Sequence, residues 1–207
     1  MIYRFLLPFI ILITLCYSYS AHAQDDWDLI KNSEGIKVYS KTSDNDENVE
    51  IKAVSSLKGE LKTFRKIMND VPNYKKWMHA AKETTLLKRK NSSEFTYYMH
   101  SDFPWPAKDR DIVIKTVLHY KPENGEVYTV SKSVNALIEK KDGINRIKDM
   151  EASWHFSEEG NEKVKVTYYG KITPSIQLPD WLAKIVYNTG PYNTIKNMRE
   201  YIRKNSF

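Results

Sequence analysis

Between Val49 and Ile172 apolar and polar residues alternate in one run after another, with short turns between the runs and one short helical interruption. Period-two alternation marks a strand with one dry face and one wet face. In the first run Val49, Ile51, Ala53, Ser55 and Leu57 fall on one side, and Glu50, Lys52 and Ser56 on the other. Further on, Phe95, Tyr97, Met99, Ser101 and Phe103 share a face, as do Ile112, Ile114, Thr116 and Leu118. An Asn124-Gly125 pair, a strong hairpin signal, leads into Val127–Val134. Met150, Ala152, Trp154 and Phe156 align in the next run, and Val164, Val166, Tyr168, Gly170 and Ile172 in the last. Strands that follow one another through short turns form an antiparallel meander, and its dry face must be covered by another layer.

The cover is predicted at the C-terminus. Leu182, Ile185, Val186, Tyr192, Ile195, Met198 and Ile202 recur at helical spacing, with Pro179 as a suitable first helical residue. Gly190-Pro191 falls in the middle, and a proline there is expected to kink or break the helix into two hinged segments. A shorter helix is expected through Leu61, Phe64, Met68 and Val71, stopped at Pro72, with one more turn carrying Trp77. Residues 25–32 are expected to open the domain as a helix, followed by a strand over Ile36–Ser40 and a polar loop over 43–48. Thr84–Lys88 reads as one further short strand.

The N-terminus sets the compartment. Arg4 precedes an apolar run, Phe5–Leu15, that is too short to span a bilayer, and Ala21-His22-Ala23 makes a small-residue cleavage site. Residues 1–23 are therefore expected to be a signal peptide and 24–207 a single domain, exported to the periplasm or secreted. The only cysteine, Cys16, would leave with the leader, so no disulfide, thiol nucleophile or thiolate metal site is expected. The net charge of +6 is spread along the chain; it suits an anionic membrane surface as well as plain solubility. No nucleic-acid motif is present, and a monomer is expected.

The order of elements, and three groups of residues, resemble the START (steroidogenic acute regulatory protein-related lipid transfer) family. The groups are Trp77, the run from Phe103-Pro104-Trp105-Pro106 to Arg110-Asp111, and an ending that runs from Pro179-Asp180-Trp181-Leu182 through Gly190-Pro191 to Thr194-Ile195-Lys196-Asn197-Met198-Arg199-Glu200-Tyr201. The resemblance covers nearly all of residues 25–205. It implies an α+β helix-grip fold: a curved antiparallel sheet wrapped around a long C-terminal helix, with a hydrophobic tunnel that holds one lipid. Sterol-carrying relatives tend to place an inward Arg further along the Arg-Asp strand; this chain offers Thr116 there, which argues against a sterol.

On that fold the expected cavity lining is Tyr97, Met99, Arg110, Ile112, Ile114, Thr116, Met150, Trp154, Tyr168, Ile185, Tyr192 and Met198. Arg110 shares a face with Ile112 and Ile114, and two roles fit it. Its planar guanidinium could hold a lipid headgroup or a carboxylate, or it could close the tunnel end as a buried ion pair. Trp105 is expected to pack into the core, with membrane contact as the other reading. His79, His100, His119 and His155 are scattered without i, i+4 or H-x-H spacing, so no zinc site is expected; His100 and Asp102 read as solvated. No cofactor is called for, and neither a G-x-S-x-G elbow nor a P-loop is present. A lipid carrier is the leading expectation. A cavity enzyme of the cyclase or hydratase type and a ligand-stabilised scaffold are the alternatives.

Overall fold

The computed structural model describes residues 27–42, 49–134, 137–172 and 180–205. The predicted leader and its cleavage site, the 43–48 loop and Pro179 lie outside the described residues.

Among the described residues ten strands make one sheet. In chain order they are β1 (Asp28–Ser33), β2 (Ile36–Thr42), β3 (Val49–Lys58), β4 (Ala81–Arg89), β5 (Glu94–Ser101), β6 (Arg110–Lys121), β7 (Glu126–Ser133), β8 (Asn145–Arg146), β9 (Met150–Gly160) and β10 (Lys163–Ile172). Across the sheet the order is β1-β2-β3-β10-β9-β7-β6-β5-β4, with β8 beside β6 and parallel to it. The remaining pairings are antiparallel.

Asp28–Ser33 form a strand where a helix over 25–32 is expected. Glu34 and Gly35 both have positive φ (50° and 73°), the geometry of a tight two-residue hairpin, and it folds β1 onto β2. Trp27 and Ile30 alone are too short a pattern to separate the two periods, so strand pairing decides.

Helix α1 (Leu61–Asn69) follows β3, then a 3₁₀ segment (Val71–Lys76) with the expected proline, Pro72, in its first turn. Leu61, Phe64, Ile67 and Met68 lie on the buried side of α1. Phe64 stacks on Phe156 of β9 at 4.8 Å, and both are fully buried. Burying each such ring stabilises the fold by about 1.5–3 kcal/mol.

The C-terminal helix is continuous. It comprises α2 (Asp180–Lys184), a π-turn over Ile185–Thr189 and α3 (Gly190–Lys204). The expected break at Gly190-Pro191 is absorbed: the Gly190 N–H donates to Ile185 O, five residues back, so the ladder has slipped before the missing N–H of Pro191 is reached. Ile195 and Met198 are fully buried as α3 packs on β2 and β3. This is the helix-grip architecture: a curved antiparallel sheet with the terminal helix across its concave face.

Candidate ligand cavity

The hairpin registers place residues of one parity side by side on the inner face of the sheet. One row runs Thr116↔Ser131 (β6/β7), Ser131↔Ala152 (β7/β9) and Ala152↔Gly170 (β9/β10). Every member is small. On one side of this row stand Tyr97↔Ile114 and Met99↔Ile112; on the other, Thr129↔Trp154 and Trp154↔Tyr168. A trough of small side chains between bulky ones leaves room that neighbouring strands do not fill. The terminal helix roofs it with Ile185, Val186, Thr189, Gly190, Pro191 and Thr194. The result is a cavity of about 680 Å³, within the range of about 300–1,000 Å³ typical of sites that enclose a small organic ligand.

Nine of the expected residues lie on its wall: Tyr97, Met99, Ile112, Ile114, Thr116, Met150, Trp154, Tyr168 and Ile185. Three do not. Tyr192 and Met198 are buried in the core under α3, because the helix spans more of the sheet than the cavity does. Arg110, at the first residue of β6, is half-buried, and its Nη1 donates to Lys108 O at 3.0 Å. Its guanidinium lies 5.9 Å from the Phe103 ring centroid. Among the described residues it forms no ion pair. The buried charge of this strand is its neighbour instead. Asp111 accepts from Arg146 Nε at 2.6 Å and Nη2 at 2.9 Å, on the outer face, with the two side chains 1% and 5% exposed. Burial pushes Asp111 up, but the Arg146 guanidinium, with Tyr98 and His100 adding to it, holds the carboxyl below its ordinary range.

Two further expectations are corrected. His100 is buried, with Nε2 2.7 Å from Asp109 Oδ2; Asp109 also accepts the Phe103 N–H at 3.2 Å, which ties down the loop after β5. Trp105 is 92% exposed at the tip of that loop, not in the core. Its neighbours Phe103 and Pro104 line the cavity mouth.

Sequence reasoning named Tyr97, Thr116 and Tyr168 but passed over their polar neighbours Thr129 and Ser131. Thr116 Oγ1 and Ser131 Oγ are 2.8 Å apart, and the Trp154 N–H donates to Thr129 Oγ1 at 3.1 Å. Burial and then the adjacent Tyr168 push the Tyr97 phenol well above its ordinary range. Burial pushes Tyr168 up to about 12. Both therefore remain protonated at physiological pH. A Cβ placed on Gly170 would lie 2.6 Å from the Tyr168 hydroxyl, so the glycine makes room for that phenol. His79, at the mouth, is half-buried, donates its N–H to Thr194 Oγ1 at 3.1 Å, and has its pKa lowered by burial. The connection between β6 and β7 spans four residues, 122–125, so a two-residue turn at Asn124-Gly125 would pair Thr116 with Ser133, and the observed Thr116↔Ser131 register was not legible from the turn.

The chain matches the START domain family model over residues 15–206. An uncharacterized protein of Pseudomonas aeruginosa is 30% identical over 180 residues, spanning 87% of this chain and 88% of that one. The crystal structure of a STAR-related lipid transfer protein from Xanthomonas axonopodis superposes with a TM-score of 0.77 at 28% identity, covering 86% of this chain and 99% of the other. Human STARD10, 18% identical, shares the fold with a TM-score of 0.73 over 89% of this chain and 78% of its own.

Proposed function

The chain belongs to the START domain family, and from that premise we propose that it is a monomeric lipid carrier of an extracytoplasmic space. It encloses one apolar ligand and passes it between membranes. The observation that carries this reading is the roofed cavity of about 680 Å³. The similar Xanthomonas protein, a STAR-related lipid transfer protein, supports it.

The residues on the wall act by binding. Tyr97, Met99, Ile112, Ile114, Met150 and Trp154 shield the ligand from water. The hydroxyls of Thr116 and Tyr168 meet its polar end. The reading assigns no catalytic step. Of the described lining residues, only His79 and Asp102 are acid–base candidates near neutral pH. Burial lowers the His79 pKa, and Asp102 lies 3.6 Å from Lys82. Exchange proceeds where the π-turn interrupts the roof, since Ile185, Val186 and Thr189 all face the cavity.

Membrane contact is assigned to the mouth. Trp105 and Trp181 are exposed beside lining residues, with exposed Lys108 and Lys184 nearby in sequence. Lys196, Arg199 and Arg203 are less suited to that role. Lys196 pairs with Glu34 at 2.7 Å, Arg199 donates to Glu34 O and Ser55 Oγ, and Arg203 pairs with Glu200 at 2.6 Å. Export rests on the leader pattern of residues 1–23, and an intact mass that begins at Gln24 would establish cleavage there.

The test is transfer of a fluorescent lipid between donor and acceptor vesicles. The protein is expected to accelerate transfer in proportion to its concentration. A rate equal to the protein-free control, across lipids of several classes, would overturn the proposal.

A further inference from the structure

The groups that face the cavity narrow the ligand class, on the premise of the carrier reading above. The chain has 32 Lys and Arg residues. Only Arg4 lies outside the described residues, and none of the others is on the cavity wall. The adjoining stretches 135–136 and 173–179 contain no Lys or Arg in their sequence. Among the described residues the one carboxylate on the wall, Asp102, is 66% exposed and lies 3.6 Å from Lys82, at the mouth. His79 is kept neutral by burial. A carboxylate or phosphate drawn inside would find no counter-charge, and an unpaired buried ion is strongly disfavoured.

Neutral donors are plentiful by contrast. Among the described residues the Tyr168 hydroxyl has no hydrogen-bond partner, and it sits over Gly170 at one end of the small-residue trough. Thr116 also meets the Tyr97 hydroxyl, and in this chain of three hydroxyls two O–H groups serve the two internal bonds, which leaves one O–H to donate. A headgroup left outside in solvent would leave these donors facing methylene groups, and unmatched buried hydroxyls are costly.

We infer that the cavity selects an uncharged lipid whose polar end is a hydroxyl or ester carbonyl, with that oxygen drawn in to accept from Tyr168 and the Thr116–Ser131 pair. A long-chain alcohol or a monoacylglycerol has this chemistry; a fatty acid anion or a phospholipid headgroup does not.

The experiment compares cetyl alcohol, 1-monopalmitoylglycerol and palmitate for displacement of an uncharged fluorescent probe from the full protein at pH 8. The two neutral lipids are expected to bind at least about tenfold more tightly than palmitate. Tyr168→Phe, which removes one hydroxyl without changing shape, should weaken the alcohol about three- to tenfold and leave hexadecane unchanged. Thr116→Val is an independent check on the other donor. Palmitate binding as tightly as the alcohol, or an alcohol affinity indifferent to both substitutions, would overturn the inference while leaving the carrier reading intact. Failure of all three lipids to bind would overturn the carrier reading itself.

Discussion

The hairpin of β5 and β6 has two faces that solve burial in opposite ways. Its outer face buries charge: Asp111 takes two hydrogen bonds from Arg146, which also donates to Ile138 O and Glu139 O, and His100 is held by Asp109. Beyond Arg110 at the strand's edge, which stays outside the cavity wall, its inner face presents neutral groups, among them Tyr97, Met99, Ile112, Ile114 and Thr116. A buried charge is tolerated where its partner is fixed by the chain itself. A cavity whose occupant comes and goes offers no such partner during exchange, so neutral hydroxyls are the polar groups that can stand there.

The comparison can be broken most sharply from the outer face. Arg146→Met leaves Asp111 buried and unpaired, and is expected to cost about 3–5 kcal/mol in urea unfolding. Replacing both partners, Asp111→Asn with Arg146→Met, should cost less than the single change. A single-variant loss below about 1 kcal/mol would erase the distinction between the faces.

Acid acts on the same pair. The folded pKa of Asp111 lies below its unfolded value near 4. The unfolded chain thus binds the proton more tightly, and the stability is complete above that pH and lost as pH falls through the folded pKa. The excess slope of wild type over Asp111→Asn should not exceed about 1.4 kcal/mol per pH unit. Equal slopes below pH 4 would show that the pair does not couple folding to protons.

The inner face predicts a smaller effect on stability and a large one on binding. Ile114→Trp places bulk into open space, where the usual overpacking cost of about 1–3 kcal/mol is reduced. Its stability should stay within about 1 kcal/mol of wild type while lipid uptake is lost. A variant that still takes up lipid stoichiometrically would place the ligand elsewhere. Trp105→Ala should change stability by no more than about 0.5 kcal/mol and weaken binding to anionic vesicles severalfold, the residual binding falling with salt. Unchanged vesicle binding would remove the mouth as the membrane contact.

Much of this was legible in the sequence because period-two alternation survives whatever the strands pair with. Tyr97, Ile114 and Trp154 reach the cavity wall by parity alone. The misplacements have separate physical causes. Trp105 sits between two prolines in a loop, where no periodicity governs the direction of a side chain. The Asp111 ion pair escaped the sequence because its partner Arg146 comes from a two-residue strand in an irregular stretch, with no pattern to place it. The unbroken terminal helix was hidden because a π-turn changes the number of residues per turn without changing their identity. The small-residue row emerges only when four strands are aligned in register, and no single strand displays it.

Native mass spectrometry of the protein purified from cells without detergent tests the central claim most directly. One bound lipid per chain, uncharged after extraction and absent from Ile114→Trp, is the expected result. A wild-type protein that is free of added mass, and remains so after incubation with cetyl alcohol and monopalmitoylglycerol, would contradict it.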